Sequence, residues 1–224
     1  MAWVGGDRPH PRAVIFDLDR CLIDSRNAWR YCIEESIAAA LGRRTDASTL
    51  VEEYHIRPWR DALGILTDPA ESNRCADLCD TMFARSAMKK LLVHEGVGMA
   101  LDALRTERIE LGAISRLPHG LAVKQVQSTG LDRFLAVVAT TPASEQWDPC
   151  ARINQCLAFL EAAAPGAAFV SGDAYDRGDA GRTGVRPYAA AWAPAAEVDG
   201  QPVGSAREVL ARVLDDWRKP GRGA

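Results

Sequence analysis

The stretch that decides the fold is Ala13-Val14-Ile15-Phe16-Asp17-Leu18-Asp19-Arg20-Cys21-Leu22-Ile23-Asp24-Ser25. Its compact apolar run leads directly into carboxylates at alternate positions, a pattern typical of a buried strand that ends in a reactive loop. Because alternate residues of an extended chain point the same way, Asp17 and Asp19 can face one site. Two negative charges at such a short distance repel each other unless a cation or a proton lies between them. The stretch therefore predicts a metal-assisted acid/base centre.

The bulk composition is that of an ordinary globular protein. The chain has 224 residues, 47% hydrophobic and 25% charged, so it can bury one substantial core or a core with a small satellite domain. A net charge of -3 gives no electrostatic footprint for nucleic acid. Residues 1–12 contain no apolar segment for a signal peptide or a membrane span. We therefore expect a cytoplasmic monomer or homodimer that binds a small molecule, without nucleic-acid or membrane partners.

The six cysteines show no spacing that favours a metal site. None forms a CxxC pair, and the closest two are Cys75 and Cys79. No nearby His or further Cys completes a set of metal ligands. We expect buried free thiols in a reducing cytosol rather than disulfides or metal ligands.

The periodicity of the chain changes near residue 93. Residues 27–41 have helical period, and residues 45–93 stay helical with breaks at Pro58 and Thr67-Asp68-Pro69. Beyond them helices and strands alternate, which implies a parallel sheet covered by helices, with ligands at the carboxyl ends of the strands. The predicted strands are 109–115, 134–139, 167–171 and 188–192, and the predicted helices are 98–107, 118–129, 149–163 and 205–217.

Polar side chains follow the predicted strands in a definite order. Asp17 and Asp19 end the first strand, Ser115 ends the second, and Gly172-Asp173 follows the fourth. In this order the chain resembles the haloacid dehalogenase superfamily, over about residues 13–192. The motifs that carry the resemblance are Phe16-Asp17-Leu18-Asp19 with Leu22-Ile23-Asp24-Ser25, then Ser115, then Val170-Ser171-Gly172-Asp173 with Ala180-Gly181 and Gly184.

The resemblance implies an α/β fold with two parts. A three-layer Rossmann-like core with a parallel sheet would comprise residues 13–24 and 94–218. Residues 25–93 would form a small all-helical domain, similar to the type 1 cap of the phosphoglycolate-phosphatase-like members. Residues 1–12 would be a flexible N-terminal tail, and residues 219–224 a C-terminal tail.

The same resemblance implies a role for each motif residue. Asp17 would be the nucleophile that forms an aspartyl-phosphate, and Asp19 would protonate the leaving oxygen and later deprotonate water. Ser115 would donate a hydrogen bond to the transferring phosphoryl group. Asp17, Asp19 and Asp173 would ligate Mg²⁺, a cation that prefers oxygen ligands. Dehalogenases of the superfamily lack the second Asp of the first motif, so Asp19 favours phosphoryl transfer over carbon–halogen cleavage.

The sequence departs from the family pattern at four places. Arg20-Cys21 replaces the usual Gly-Thr, and Arg116 replaces the usual Asn after Ser115. Gln146, in Gln146-Trp147-Asp148-Pro149, stands where the family places the Lys that neutralises the phosphoryl group. Another cation is then needed to hold a dianion against Asp17. The candidate phosphate-binding residues are Arg116, Arg20 and Arg177.

The fourth departure concerns the second acid of the last motif. The family position for this acid is Arg177, if Ala180-Gly181 sets the register. Asp176 lies one residue earlier and Asp179 two residues later, so either could supply the acid. Of the two, Asp176 is the candidate additional metal residue.

Residues that select the substrate are expected in the helical part. The equally open alternative is that these residues form a solvated helix end and do not contact the substrate. Trp147 is expected to be a packing residue.

The leading hypothesis is a Mg²⁺-dependent phosphatase for a small phosphorylated metabolite, in which the cap closes over the substrate. The alternative is a catalytically impaired protein of the same fold that acts as a binding or regulatory module. The candidate specificity residues are His55, Arg57, Trp59 and Arg60.

Overall fold

The structure is a computed structural model that describes residues 12–53, 59–142, 145–193, 196 and 202–218. Within these residues the chain forms nine α-helices. They are α1 Arg26–Leu41, α2 Ser48–Glu53, α3 Trp59–Leu66, α4 Pro69–Arg85, α5 Val97–Thr106, α6 His119–Thr129, α7 Pro149–Phe159, α8 Ala174–Arg182 and α9 Glu208–Arg218. None of the described helices is both long and apolar enough to cross a membrane.

The opening stretch forms the central strand of a six-stranded sheet. All five residues of β1, Ala13–Asp17, are buried, as a strand covered on both faces requires. The order of the sheet is β5-β4-β1-β6-β7-β8, and every described pairing in it is parallel. The predicted α/β fold with a parallel sheet is therefore confirmed. The other strands of the sheet are β4 Glu110–Ser115, β5 Val137–Thr140, β6 Ala167–Ser171, β7 Arg186–Ala190 and β8 Pro202–Val203.

Alternate residues of β1 pack into two hydrophobic clusters, one on each face of the sheet. Val14 and Phe16 belong to the cluster that includes buried residues of α5, α6 and α9. Ala13 and Ile15 belong to the cluster formed with α7 and α8. Because successive strand residues point to opposite faces, this alternation produces the predicted three layers. It also leaves the carboxyl end of β1 at the edge of the central layer.

The segment that contains helices α1 to α4 is connected to the sheet through a short two-stranded antiparallel ribbon. β2 (Ile23–Asp24) and β3 (Leu92–Val93) are antiparallel, with Ile23 opposite Val93. The sequence predicted only helix up to residue 93, and β3 was missed because two residues are too few to establish a strand period. The predicted domain boundaries stay a prediction.

The helical segment has its own capping and packing signals. Asp68 caps α4 by accepting from the main-chain N–H groups of Ala70 and Glu71, and Pro69 is the first helical residue. This confirms the predicted restart of the helix. The rings of Trp29 and Phe83 stack with centroids 4.0 Å apart. Both are buried in the cluster that also contains Val14 and Phe16, so this segment and one face of the sheet share a core.

Smaller differences from the sequence predictions lie at element ends. The last predicted strand ends at Ala190 rather than at residue 192, and β8 was not predicted. All six cysteines are free; five are buried and Cys150 is half-buried. The prediction of free thiols is thus confirmed, and burial is complete for all but Cys150.

Candidate active site

The loop after β1 is a single π-helical turn, Leu18–Leu22, held by the side chain of Asp17. Asp17 Oδ1 accepts hydrogen bonds of 3.1 Å from the main-chain N–H groups of Asp19 and Arg20. Cys21 fastens the turn to the sheet, because its thiol lies 3.0 Å from the carbonyl oxygen of Asp17 and 3.3 Å from that of Val170. The carboxylate of Asp17 therefore has a fixed orientation before any ligand binds.

Asp17 is buried, with 4% of its surface exposed. Its Oδ2 accepts a 2.8 Å hydrogen bond from the hydroxyl of Ser171, at the end of β6. Burial first, and then the nearby Asp176 and Asp19, raise the pKa of Asp17 to about 7, against the lowering effects of Arg20 and Ser171. A carboxyl group with this pKa can lose its proton close to neutral pH.

Asp19, in the turn after β1, is hydrogen-bonded to the end of the neighbouring strand β4. Its Oδ2 accepts from the hydroxyl of Ser115 at 2.8 Å and from the main-chain N–H of Arg116 at 2.9 Å. Its Oδ1 is buried and has no hydrogen-bond partner among the described residues. Burial raises the pKa of Asp19, and the bonds from Ser115 and Arg116 oppose the rise.

Two arginines bind the acids at the start of α8. Asp173 Oδ2 lies 3.0 Å from Arg20 Nη1 and 3.3 Å from Arg116 Nη2. The same Arg116 Nη2 lies 2.9 Å from both carboxylate oxygens of Asp176, which is fully buried. Of the two acids left open by the sequence, Asp176 is thus the one that joins the site.

Trp147 contacts both members of the Arg116–Asp176 pair. Its Nε1 donates a 3.0 Å hydrogen bond to Asp176 Oδ1, and its ring lies under the Arg116 guanidinium, 4.7 Å from centroid to Cζ. Trp147 packs against the hydrophobic cluster of α7 and α8, as expected, and its indole also supplies a polar contact in the site. The neighbouring Gln146 is exposed.

The third candidate cation, Arg177, lies in a different environment. It is buried, with Nη1 donating at 3.0 Å to the carbonyl oxygen of Ser171. This contact holds the end of β6 at Ser171, the same residue whose hydroxyl binds Asp17. Asp179 is buried in an ion pair with Arg182 and is not one of the acids bound by Arg20 and Arg116.

The candidate specificity residues remain untested. His55 and Arg57 lie outside the described residues, while Trp59 and Arg60 belong to α3 but their side chains are not described. Their proposed contact with substrate stays a prediction.

Sequence reasoning missed two contributors to the site. Ser171 was quoted within its motif, yet nothing in the sequence indicates that its hydroxyl would bind Asp17, since the two residues are 154 positions apart. Gly172 allows β6 to approach the π turn: a Cβ there would lie 3.0 Å from that of Ala193 and 3.3 Å from the carbonyl oxygen of Arg20. Its glycine identity was the available signal.

The carboxylates that the resemblance implies as Mg²⁺ ligands are already bound by other groups of the protein. Asp17 accepts three hydrogen bonds, and Asp173 and Asp176 accept from guanidinium groups. Among the residues that the structure describes, no three His, Cys, Asp or Glu side chains are grouped so that they could hold a metal ion. As arranged, the site does not fit a divalent cation.

The fold and the carboxylates at its strand ends define an α/β protein whose site suits acid/base or nucleophilic chemistry. A family model for the haloacid dehalogenase-like hydrolases matches residues 14–190. The chain therefore belongs to the haloacid dehalogenase-like hydrolase family. No curated protein sequence matches it significantly.

Solved structures share the fold over nearly their whole length. A haloacid dehalogenase-like family hydrolase from Streptococcus pneumoniae has a TM-score of 0.76 at 15% identity, covering 90% of this chain and 98% of the other. A subfamily IA hydrolase from Geobacter sulfurreducens has a TM-score of 0.75 at 19% identity, covering 95% and 100%. A protein from Haemophilus somnus described as a predicted phosphoglycolate phosphatase has a TM-score of 0.77 at 12% identity, covering 92% and 99%.

Proposed function

We propose that the protein hydrolyses phosphate monoesters of small metabolites, with Asp17 as the nucleophile and Asp19 as the general acid and base. Membership of a hydrolase family supports the reaction class. Asp17 is the last residue of the central strand and Asp19 lies in the turn that follows it, the location where ligands bind in open α/β sheets. Substrate selection by the helical segment is part of the same proposal.

The observation that carries the proposal is that only one of the two carboxylate oxygens of Asp19 accepts hydrogen bonds. Oδ2 accepts two hydrogen bonds, whereas Oδ1 is buried without a partner among the described residues. An acid whose pKa is raised by burial holds a proton more readily, and the proton belongs on the oxygen that is not already accepting. Asp19 Oδ1 is then the atom that can donate to a leaving group.

The proposed reaction has two steps. In the first, a carboxylate oxygen of Asp17 attacks phosphorus, the bond from phosphorus to the ester oxygen breaks, and Asp19 transfers its proton to that oxygen. In the second, the Asp19 carboxylate takes a proton from a water molecule as the water oxygen attacks phosphorus. The bond from phosphorus to Asp17 then breaks, which releases inorganic phosphate and restores both side chains.

Arg116 and Arg20 are the cations proposed to meet the phosphoryl oxygens. The side chain of Arg116 is 39% exposed, and its contacts to the two acids all involve Nη2. Its Nε and Nη1 are therefore not committed to these carboxylates. Arg20 binds Asp173 through Nη1. Arg177 is less suited to this role because it is buried against Ser171.

One observation favours the alternative, a binding or regulatory module without efficient catalysis. The ion pairs to Asp173 and Asp176 use part of the positive charge that would otherwise stabilise a phosphoryl dianion. Gln146 adds no charge at the position of the missing Lys. Turnover measurements separate the two functions.

The test is hydrolysis of a panel of phosphate monoesters, each measured with a chelator and with added Mg²⁺. We expect turnover by the wild-type protein and a fall to background in Asp17→Asn. Asp19→Asn should lower kcat by roughly 10²- to 10⁴-fold, the usual contribution of a general acid.

Asp102→Asn is the matched control, since Asp102 is an exposed residue of α5. It should leave the rate unchanged. If no ester is turned over under either condition, or if Asp17→Asn retains the wild-type rate, the hydrolase proposal fails and the binding module is favoured.

A further inference from the structure

Five residues from four parts of the chain form what we call the acid–arginine cluster: Arg20, Arg116, Trp147, Asp173 and Asp176. Each acid in it is bound by a guanidinium group. Asp176 Oδ1 and Oδ2 both lie 2.9 Å from Arg116 Nη2. Asp173 Oδ2 contacts Arg20 at 3.0 Å and Arg116 at 3.3 Å. The two carboxylates of the last motif are thus neutralised by the protein itself.

The position of Arg116 is supported by contacts other than its ion pairs. Its main-chain N–H donates to Asp19 Oδ2 at 2.9 Å, which fixes the start of the side chain beside the catalytic loop. The Trp147 ring stacks against its guanidinium, while the indole N–H holds Asp176. A cation stacked on an aromatic ring and bound to a buried acid has little freedom to leave.

The contacts of the acid–arginine cluster disfavour the binding of a divalent cation. Mg²⁺ needs carboxylate oxygens at about 2.0–2.1 Å in near-octahedral geometry. The oxygens of Asp173 and Asp176 that face Arg116 are already accepting from it, and two guanidinium charges would repel an added ion. The departures from the family pattern at residues 20 and 116 therefore act at one place.

We propose that Arg116, assisted by Arg20 and positioned by Trp147, is the resident cation of this site, so that Asp173 and Asp176 bind a guanidinium group and not a metal ion. The inference goes beyond the proposed function and does not rest on it. It concerns the site in the absence of substrate, and a protein of either proposed function can be tested for it.

The test is direct binding of the metal alone. Free Mn²⁺ is followed by electron paramagnetic resonance and Mg²⁺ by calorimetry, on the full chain without substrate. We expect no saturable site in the wild-type protein. Arg116→Asn, alone or with Arg20→Gly, restores the usual family residues and should gain one site per chain, with an affinity increased roughly tenfold or more.

The control is Arg44→Asn, because Arg44 is exposed in the loop after α1. It should bind no more metal than the wild type. Adding Asp173→Asn to the Arg116→Asn variant should remove the gained site, which assigns it to the cluster. Trp147→Phe keeps an aromatic ring but removes the N–H that binds Asp176, and should give a smaller gain in metal affinity than Arg116→Asn.

Two results would overturn the inference. One is a saturable Mn²⁺ site in the wild-type protein that is lost in Asp173→Asn, a measurement that does not depend on the folding of any arginine variant. The other is the absence of metal binding in folded Arg116→Asn and in the folded double variant, since removing the resident cation must then have opened no site. Neither result depends on whether an ester is hydrolysed.

Discussion

The hydroxyl of Ser171 donates a 2.8 Å hydrogen bond to Asp17 Oδ2. The same hydroxyl accepts a 3.0 Å bond from the main-chain N–H of Asp173. One side chain at the end of β6 therefore joins the proposed nucleophile of the first motif to the first acid of the last. Ser171 is fully buried, so water cannot readily replace either contact.

Replacing Ser171 by Ala should raise the pKa of Asp17 above its value of about 7, because the hydroxyl bond to the ionised carboxylate lowers that pKa. A bond to a charged group changes a pKa by about one unit. The measurement is the ¹³C chemical shift of the Asp17 carboxyl carbon against pH. Ser128→Ala, at an exposed helix position, is the control. An unchanged or lowered Asp17 pKa in Ser171→Ala would show that the bond does not act on the carboxylate.

Asp17→Asn should make the protein more stable at neutral pH. The pKa of Asp17 is 3.8 in its ordinary state and about 7 in the folded protein. At pH values between these two pKa values, Asp17 has lost its proton in the unfolded chain but keeps it in the folded chain. The free energy of unfolding of the wild type therefore falls as pH rises. The variant has no such proton. Its advantage should grow from near zero at pH 4 to about 2–4 kcal/mol above pH 7.

Urea unfolding at several pH values between 4 and 8 measures this difference. Asp102→Asn serves again as the control and should show no pH-dependent difference from the wild type. A stability advantage of Asp17→Asn that stays constant over the range would contradict the raised pKa.

Gly172→Ala should lower the free energy of unfolding by about 1–3 kcal/mol, the usual range for overpacking. The new methyl group would meet the Cβ of Ala193 at 3.0 Å and the carbonyl oxygen of Arg20 at 3.3 Å. Gly178→Ala is the matched control, because Gly178 lies inside α8 with nothing within 4 Å of an added Cβ. There the helix propensity of Ala should stabilise the protein by about 0.5–1 kcal/mol. Denaturant unfolding of both variants checks the opposite signs.

Phe83→Ala should lower the free energy of unfolding by about 3–5 kcal/mol. Phe83 is fully buried and stacks on Trp29. Because both rings belong to the cluster that includes β1, we expect the helical segment and the sheet to unfold in one transition. Phe159→Ala removes a ring that is 64% exposed and should cost less than about 0.5 kcal/mol. Two resolved transitions, followed by tryptophan fluorescence and circular dichroism, would contradict the shared core.

Local pattern was enough to predict the scaffold. The apolar run before Asp17 indicated a buried strand, and the alternating helices and strands after residue 93 indicated a parallel sheet, as the structure has them. Asp19 and Ser115 were expected together because the carboxyl ends of neighbouring parallel strands meet, and the structure joins them at 2.8 Å. The two-residue strands β2 and β3 escaped prediction, since their pairing depends on contacts and not on period.

The sequence by itself determined the α/β fold, the family and the carboxylates at the end of β1, because these follow from periodicity and from short motifs. It also marked Arg20 and Arg116 as unusual, but it could not say what they bind. That was decided by the tertiary structure, which brings Arg116 to Asp176 across 60 residues of chain and places Trp147 against both. A long, flexible guanidinium side chain has no preferred partner until folding defines which buried charges lie within its reach.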